Sequence, residues 1–167
     1  VWYIKVEVID QASASNHAKS WGYVMNWYGE IAIASSDQNF DFGTVNLGTS
    51  DNPLTTPADN NVDIYIVSNG NYNVKVKASD STGGNDYWVG ATHEDQAVIV
   101  TGAPSAGQIR LKVDDDSDHS SGVVVINPQS SGYNNWLTGL TGPTSDGTAA
   151  NGDGANHDAY LLLDLGS

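Results

Sequence analysis

Val62–Ala78 reads VDIYIVSNGNYNVKVKA. Val62, Ile64 and Ile66 alternate with Asp63 and Tyr65. Tyr72, Val74, Val76 and Ala78 then alternate with Asn73, Lys75 and Lys77. Alternation at period two marks a strand with one buried and one wet face. Asn69-Gly70-Asn71 between the two runs is a short Gly-containing connection, and it predicts a β-hairpin.

The same pattern extends in both directions. Towards the C-terminus, Tyr87–Thr92 and Ala97–Thr101 read as short strands around a polar turn at His93, Glu94 and Asp95. Gln108–Val113 (QIRLKV) alternates, whereas Gly122–Asn127 (GVVVIN) is continuously apolar, as in a strand covered on both faces. Pro128–Asn156 is loop-rich, with Tyr133, Trp136, Leu137 and Leu140 as its core anchors, and Asp158–Leu165 (DAYLLLDL) is a final strand.

Towards the N-terminus, Gly48–Asn61 is a loop, and Phe40–Leu47 changes parity at Gly43, which predicts a bulged strand. Trp21–Ser35 reads as one long strand. Its aromatics and two isoleucines argue against a helix over Tyr23–Ala34. Val1–Ile9 (VWYIKVEVI) sets Trp2, Ile4, Val6 and Val8 against Tyr3, Lys5 and Glu7. Asp10–Ser20 has no periodicity and reads as a tether. Strands recurring about every ten residues, with turn signals between, predict an all-β antiparallel sandwich, jelly-roll-like or Ig-like. The expected organisation is an N-terminal extension strand (1–9), a tether (10–20) and a single domain (21–167).

Composition narrows the function classes. Six basic against twenty acidic residues give a formal charge of −14. That balance argues against a phosphate backbone or an anionic membrane surface as partner. The absence of cysteine excludes disulfides, thiolate metal sites and Cys nucleophiles. No apolar run reaches the roughly 18–20 residues of a membrane helix. With no signal peptide and Val at position 1, the expected form is a processed, exported chain.

No catalytic pattern emerges. His17, His93, His119 and His157 fall in separate polar segments, and no G-x-S-x-G elbow is present. The chain is therefore expected to be non-enzymatic and to need no cofactor. Calcium is the one ion the sequence suggests, through Asp114, Asp116 and Asp118 beside Asp115, since Ca²⁺ takes carboxylate oxygens. A second acidic run holds Asn151, Asp153, Asn156 and Asp158. Neither follows the EF-hand spacing, and the plainer reading of both is a solvated acidic turn.

The order of segments carries a resemblance. An alternating N-terminal strand, a long aromatic strand, FDFGTVNLG, VDIYIVSNGNYNVKVKASD and AYLLLDLG follow one another. Asp41-Phe42-Gly43 and Ser68-Asn69-Gly70-Asn71-Tyr72 are its most specific pieces. This layout resembles the TasA-like biofilm fibre proteins and the archaeal bundling pilins. The resemblance implies a jelly-roll-like domain whose N-terminal strand completes the sheet of the next subunit. Val1, Trp2, Tyr3, Ile4, Lys5, Val6, Glu7, Val8 and Ile9 would then form the polymerisation interface of an extracellular pilus or biofilm fibre. The partner would be the chain itself, head to tail, with neighbouring filaments or the cell surface as further contacts. The alternative is a monomeric cell-surface binding module, either a calcium-stabilised adhesin or a carbohydrate-binding domain.

Overall fold

The structure is a computed structural model, and it describes residues 5–9, 15–19, 27–78, 87–89, 96–144 and 147–167. It is nearly all β, with no α-helix among the described residues. The strands are β1 (Lys5–Ile9), β2 (Ser15–Lys19), β3 (Gly29–Ile33), β4 (Asn52–Pro53), β5 (Val62–Ser68) and β6 (Tyr72–Val76). They continue as β7 (Tyr87–Val89), β8 (Gln96–Ile99), β9 (Gln108–Asp114), β10 (Val124–Val125), β11 (Asn134–Leu140) and β12 (Ala155–Leu165).

The larger sheet runs β3-β5-β12-β9-β8-β7, with β10 added to β9 and β4 to β12. Its pairs are antiparallel except β8 with β9, which is parallel. The smaller sheet is the pair β6–β11. Between them lies one apolar core, to which β5 and β9 give alternate residues. Val62, Ile64 and Ile66 come from β5, and Ile109, Leu111 and Val113 from β9. Val74 of β6 and Trp136 and Leu137 of β11 close it from the other side. The architecture is compatible with a β-sandwich.

The long strand β12 holds the larger sheet together. Its first half, Ala155–Ala159, pairs with β5, and its second half, Tyr160–Leu165, pairs with β9. Leu162 faces Lys112 on one edge and Pro53 on the other, so β4 and β9 flank the strand. On the face turned away from the core, Asp164 is fully buried. Its carboxylate takes Arg110 Nη2 at 2.5 Å and Lys112 Nζ at 2.7 Å, and the amide of Asp51 donates to it at 2.7 Å. Lys112 also pairs with Asp51. Asp51 sits in the left-handed region, with φ of 57°. This small network ties the loop before β4 to two central strands.

Several sequence expectations are corrected. Val62–Ala78 is not a hairpin, because β5 has β3 on one edge and β12 on the other, while β6 belongs to the smaller sheet. A tight hairpin needs positive φ in its turn. Among the described residues that adopt positive φ, Asn69, Gly70 and Asn71 are missing. The connection instead arches from one sheet to the other. It is tied to the Tyr28 backbone (Asn69 N to Tyr28 O, 3.2 Å) and, beside it, Thr144 N donates to Ser68 O at 2.9 Å. Alternation reported the two strands correctly, but it cannot say which strand lies beside which.

Phe40–Leu47 is not a strand. Only Asp41 bridges to Thr56, and Gly43 turns at φ 64° under a 2.7 Å hydrogen bond from its amide to the Asp41 carboxylate. Pro128–Asn156, expected to be mostly loop, contains the seven-residue strand β11. Its register shifts between Asn135 and Leu137, which lets the adjacent Trp136 and Leu137 both be buried and hides the period from view. Tyr133, expected in the core, is exposed beneath Lys77 Nζ, 4.5 Å from its ring. The covered run Gly122–Asn127 forms only the two-residue β10, with Ile126 as its buried residue. The long strand expected over Trp21–Ser35 appears as Gly29–Ile33, and its part before Trp27 lies outside the described residues. So does the turn at His93–Asp95.

The Asp164 network makes a measurable contribution to stability. Burial alone would raise this carboxyl group, but the hydrogen bonds from Lys112, the Asp51 amide and Arg110 outweigh it and hold its pKa below the usual value. A carboxylate depressed in the folded state stabilises the fold above its unfolded pKa, about 3.9, and loses that contribution as pH falls further. Removing one partner of a buried pair costs about 3–5 kcal/mol. Asp164→Ala is therefore expected to lower unfolding free energy by about that amount at pH 7. In urea titrations the gap from wild type should narrow below about pH 3.9.

Candidate assembly interface

The inner face of the larger sheet does not end where its cover ends. Ile31 lies opposite Ile66 and Ile33 opposite Ile64, so both share the face of two core residues. Yet Ile31 is 62% exposed and Ile33 43% exposed, while Ile64 and Ile66 are buried. The smaller sheet stops one strand short of covering them. Among the described residues β6 pairs only with β11, and β3 only with β5. The edge of β6 that faces away from β11 therefore borders a groove floored by β3.

An open cavity of about 240 Å³ marks this groove, lined by Trp27, Ile31, Ile66, Tyr72, Val74 and Lys75 among others. Trp27 closes one end. Its ring lies over Gly29, where a Cβ would come within 2.5 Å of a ring carbon, so only glycine admits the indole there. Trp27, Ile31 and Ile33 share one parity and make a run of exposed large apolar side chains on one short segment. Singly exposed apolar residues are ordinary; a contiguous run on a sheet edge indicates an interaction surface.

Polar contacts fix the rim. The Tyr28 hydroxyl donates to Glu30 Oε2 at 2.5 Å, and the Ala150 amide donates to Glu30 Oε1 at 3.3 Å. The hydrogen bond to Glu30 raises the Tyr28 pKa, with burial and the Glu30 charge adding to it. Tyr28 N donates to Asn69 Oδ1 at 2.8 Å, which pins the groove end to the arch. Deeper in, Tyr72 of β6 and His157 of β12 join the two sheets, with Oη and Nε2 2.9 Å apart. Burial lowers the His157 pKa against the opposing pull of Asp158 and Asp115, and burial raises that of Tyr72.

Of the residues singled out from sequence, Val1–Ile4 lie outside the described residues, as do the side chains of Lys5–Ile9. The backbone of Lys5–Ile9 forms β1, antiparallel to β2, from Lys5 opposite Lys19 to Ile9 opposite Ser15. The segment read as a tether thus contains a strand. These two strands form a sheet of their own.

Asp114 is fully buried at the end of β9, and its carboxylate accepts from the Asp115 amide at 2.9 Å and faces His119 Nδ1 at 3.4 Å. Asp116 and Asp118 are exposed and accept from the amides of Asp118 (3.2 Å) and Ser120 (2.8 Å). These carboxylates shape their own loop. Among the described residues no three His, Asp or Glu side chains converge in a group that holds a metal ion. No helix of the described residues is long and apolar enough to cross a membrane.

No family model, curated protein or solved structure matches this chain. The groove was not legible from sequence, although one signal was present. Ile31 and Ile33 share a parity, and finding them uncovered requires knowing that β6 has a free edge.

The Tyr72–His157 bridge gives the groove a pH dependence. A histidine whose pKa is depressed on folding withholds no stability above its unfolded pKa of about 6.5, and destabilises the fold as pH falls below it. Urea midpoints are expected to decline from pH 7.5 to pH 5, with a shallower decline in His157→Gln. Tyr72→Phe should cost about 0.5–1.5 kcal/mol at pH 7.5, the ordinary worth of one such hydrogen bond.

Proposed function

We propose that this chain is the structural subunit of an extracellular filament, a pilus or biofilm fibre, which grows by donation of its N-terminal strand to the next copy. One observation carries this reading: the edge of β6, unpaired among the described residues, borders an apolar groove lined by Ile31, and Ile33 on the same core face of β3 also stands uncovered. A strand laid along β6 would complete the smaller sheet and bury both isoleucines.

Strand length and composition support the match. β3, β6 and β1 are each five residues long. VWYIKVEVI supplies the alternating apolar residues that such a groove accepts. Strand addition gives affinity through main-chain hydrogen bonds and register through alternate side-chain pockets. Each ladder bond contributes about 0.5–1.5 kcal/mol, and each large aliphatic side chain fully buried about 1.5–3 kcal/mol. A cysteine-free chain could build a durable joint from those terms alone. Donation from one copy to the next is heterologous, so it propagates as a fibre instead of closing as a dimer. The extracellular setting rests on the resemblance in segment order.

The test is a truncation paired with a groove substitution. Deleting residues 1–9 should leave a folded monomer that forms no filaments by electron microscopy. A synthetic Val1–Ile9 peptide should bind that monomer, and Ile31→Asp should weaken the binding at least tenfold. Filaments from the truncated chain would refute strand donation. Peptide binding unaffected by Ile31→Asp would place the acceptor elsewhere.

A further inference from the structure

The groove accommodates one strand, whereas the N-terminal segment contains two. β1 and β2 pair along their whole length, five residues against five, in an unbroken antiparallel register. A strand in a hairpin keeps its second edge, so β1 needs no release from β2 to add to another sheet. We infer that the donated element is the whole N-terminal hairpin, with β1 laid against β6 of a second copy and β2 carried along as the new outer strand. This rests on strand donation, and it adds which element is donated and what protects the completed sheet.

The sequences of the two strands divide the roles. β1 (KVEVI) carries the apolar residues, whereas β2 (SNHAK) has Ala18 as its only apolar residue and holds His17 and Lys19. β3 is itself the edge of the larger sheet, so a strand added to β6 covers Ile31 and Ile33 and the next one overhangs into solvent. A polar strand with a lysine is how natural sheets blunt an open edge. Without β2, the outer edge of an added β1 would expose its main-chain groups to any further strand. The completed smaller sheet would run β2-β1-β6-β11.

The acceptor is a second copy and not the chain's own groove. Within one copy the hairpin forms a separate two-stranded sheet, and the free edge of β6 is left beside its groove. Residues 20–26 link Lys19 to Trp27, and seven extended residues reach at most about 25 Å. That is enough to carry the hairpin beyond its own domain edge to an adjacent one.

The absence of cysteine makes the test clean. Glu7→Cys with His17→Cys locks the hairpin across one facing pair, and Lys5→Cys with Lys19→Cys locks it across a second, both on the parity opposite to Val6 and Val8. Facing pairs in an antiparallel ladder have Cα separations suited to a disulfide. Assembly of the oxidised variants is followed by light scattering and electron microscopy beside the wild-type chain and their reduced forms. The inference expects filaments from the oxidised proteins at rates within about twofold of the reduced ones. It is overturned if the oxidised proteins stay monomeric until dithiothreitol is added while wild type assembles, because β1 must then leave β2. It is also overturned if both oxidised proteins remain folded monomers after reduction, with their own hairpins filling their own grooves.

A second variant covers the case in which the disulfides disturb folding. Replacing Ser15–Lys19 by a Gly/Ser run of equal length should slow ordered assembly at least tenfold or divert it to amorphous aggregate. Unchanged filaments from that variant would exclude β2 from the joint. If wild type itself forms no filaments, strand donation fails as a whole, an outcome distinct from either result with the locked hairpin.

Discussion

Eleven residues, Ala155–Leu165, decide whether the larger sheet exists. β3 and β5 form one block, and β7 to β10 form another, and among the described residues only β12 joins them. Its inner residues complete the apolar core. On the outer face, Asp164 gathers Arg110, Lys112 and the Asp51 amide around one buried carboxylate. The ladder gives the strand its neighbours and the ionic network fixes their register. A carboxylate with this many donors belongs to a site that tolerates no slip, because shifting β12 by one residue would turn Asp164 into the core and Leu163 out of it.

The smaller sheet follows from the same frame. Once β5 is enclosed by β3 and β12, the chain after Ser68 has no free edge beside it, and β6 has to cross to the other layer. There it pairs with β11 and, among the described residues, with no other strand. The uncovered Ile31 and Ile33 are thus a consequence of unequal layers, eight strands against two. A two-strand layer cannot cover the inner face of the layer beneath it. The incompleteness lies in the topology, and the proposed donation of the N-terminal hairpin is a way to complete it.

Much of the strand content was legible from period two alone. β5, β6, β9 and β12 stand close to where alternation puts them. What alternation cannot give is adjacency, and so Val62–Ala78 reads as a hairpin although its arms lie in different sheets. β11 escaped notice because a bulge sets Trp136 and Leu137 side by side in the core and breaks the period. Asp41-Phe42-Gly43 misled in the opposite sense: Phe42 is buried, but an Asp41 side chain holding the Gly43 amide replaces the ladder. The acceptor groove was beyond reach for a similar reason. Its residues belong to β3, β5 and β6, and no spacing within one segment announces that they share a surface.

The position of β12 in chain order sets the timing of folding during synthesis. All its partners, β4, β5 and β9, precede it, so the two blocks of the larger sheet stay unjoined until β12 has been made. Asp164 lies near the very end of that strand, and Arg110 and Lys112 wait more than fifty residues for it. Long-range pairing of this kind is paid in loop closure before any contact rewards it. The two blocks of the larger sheet therefore close only through pairings between segments far apart in the chain.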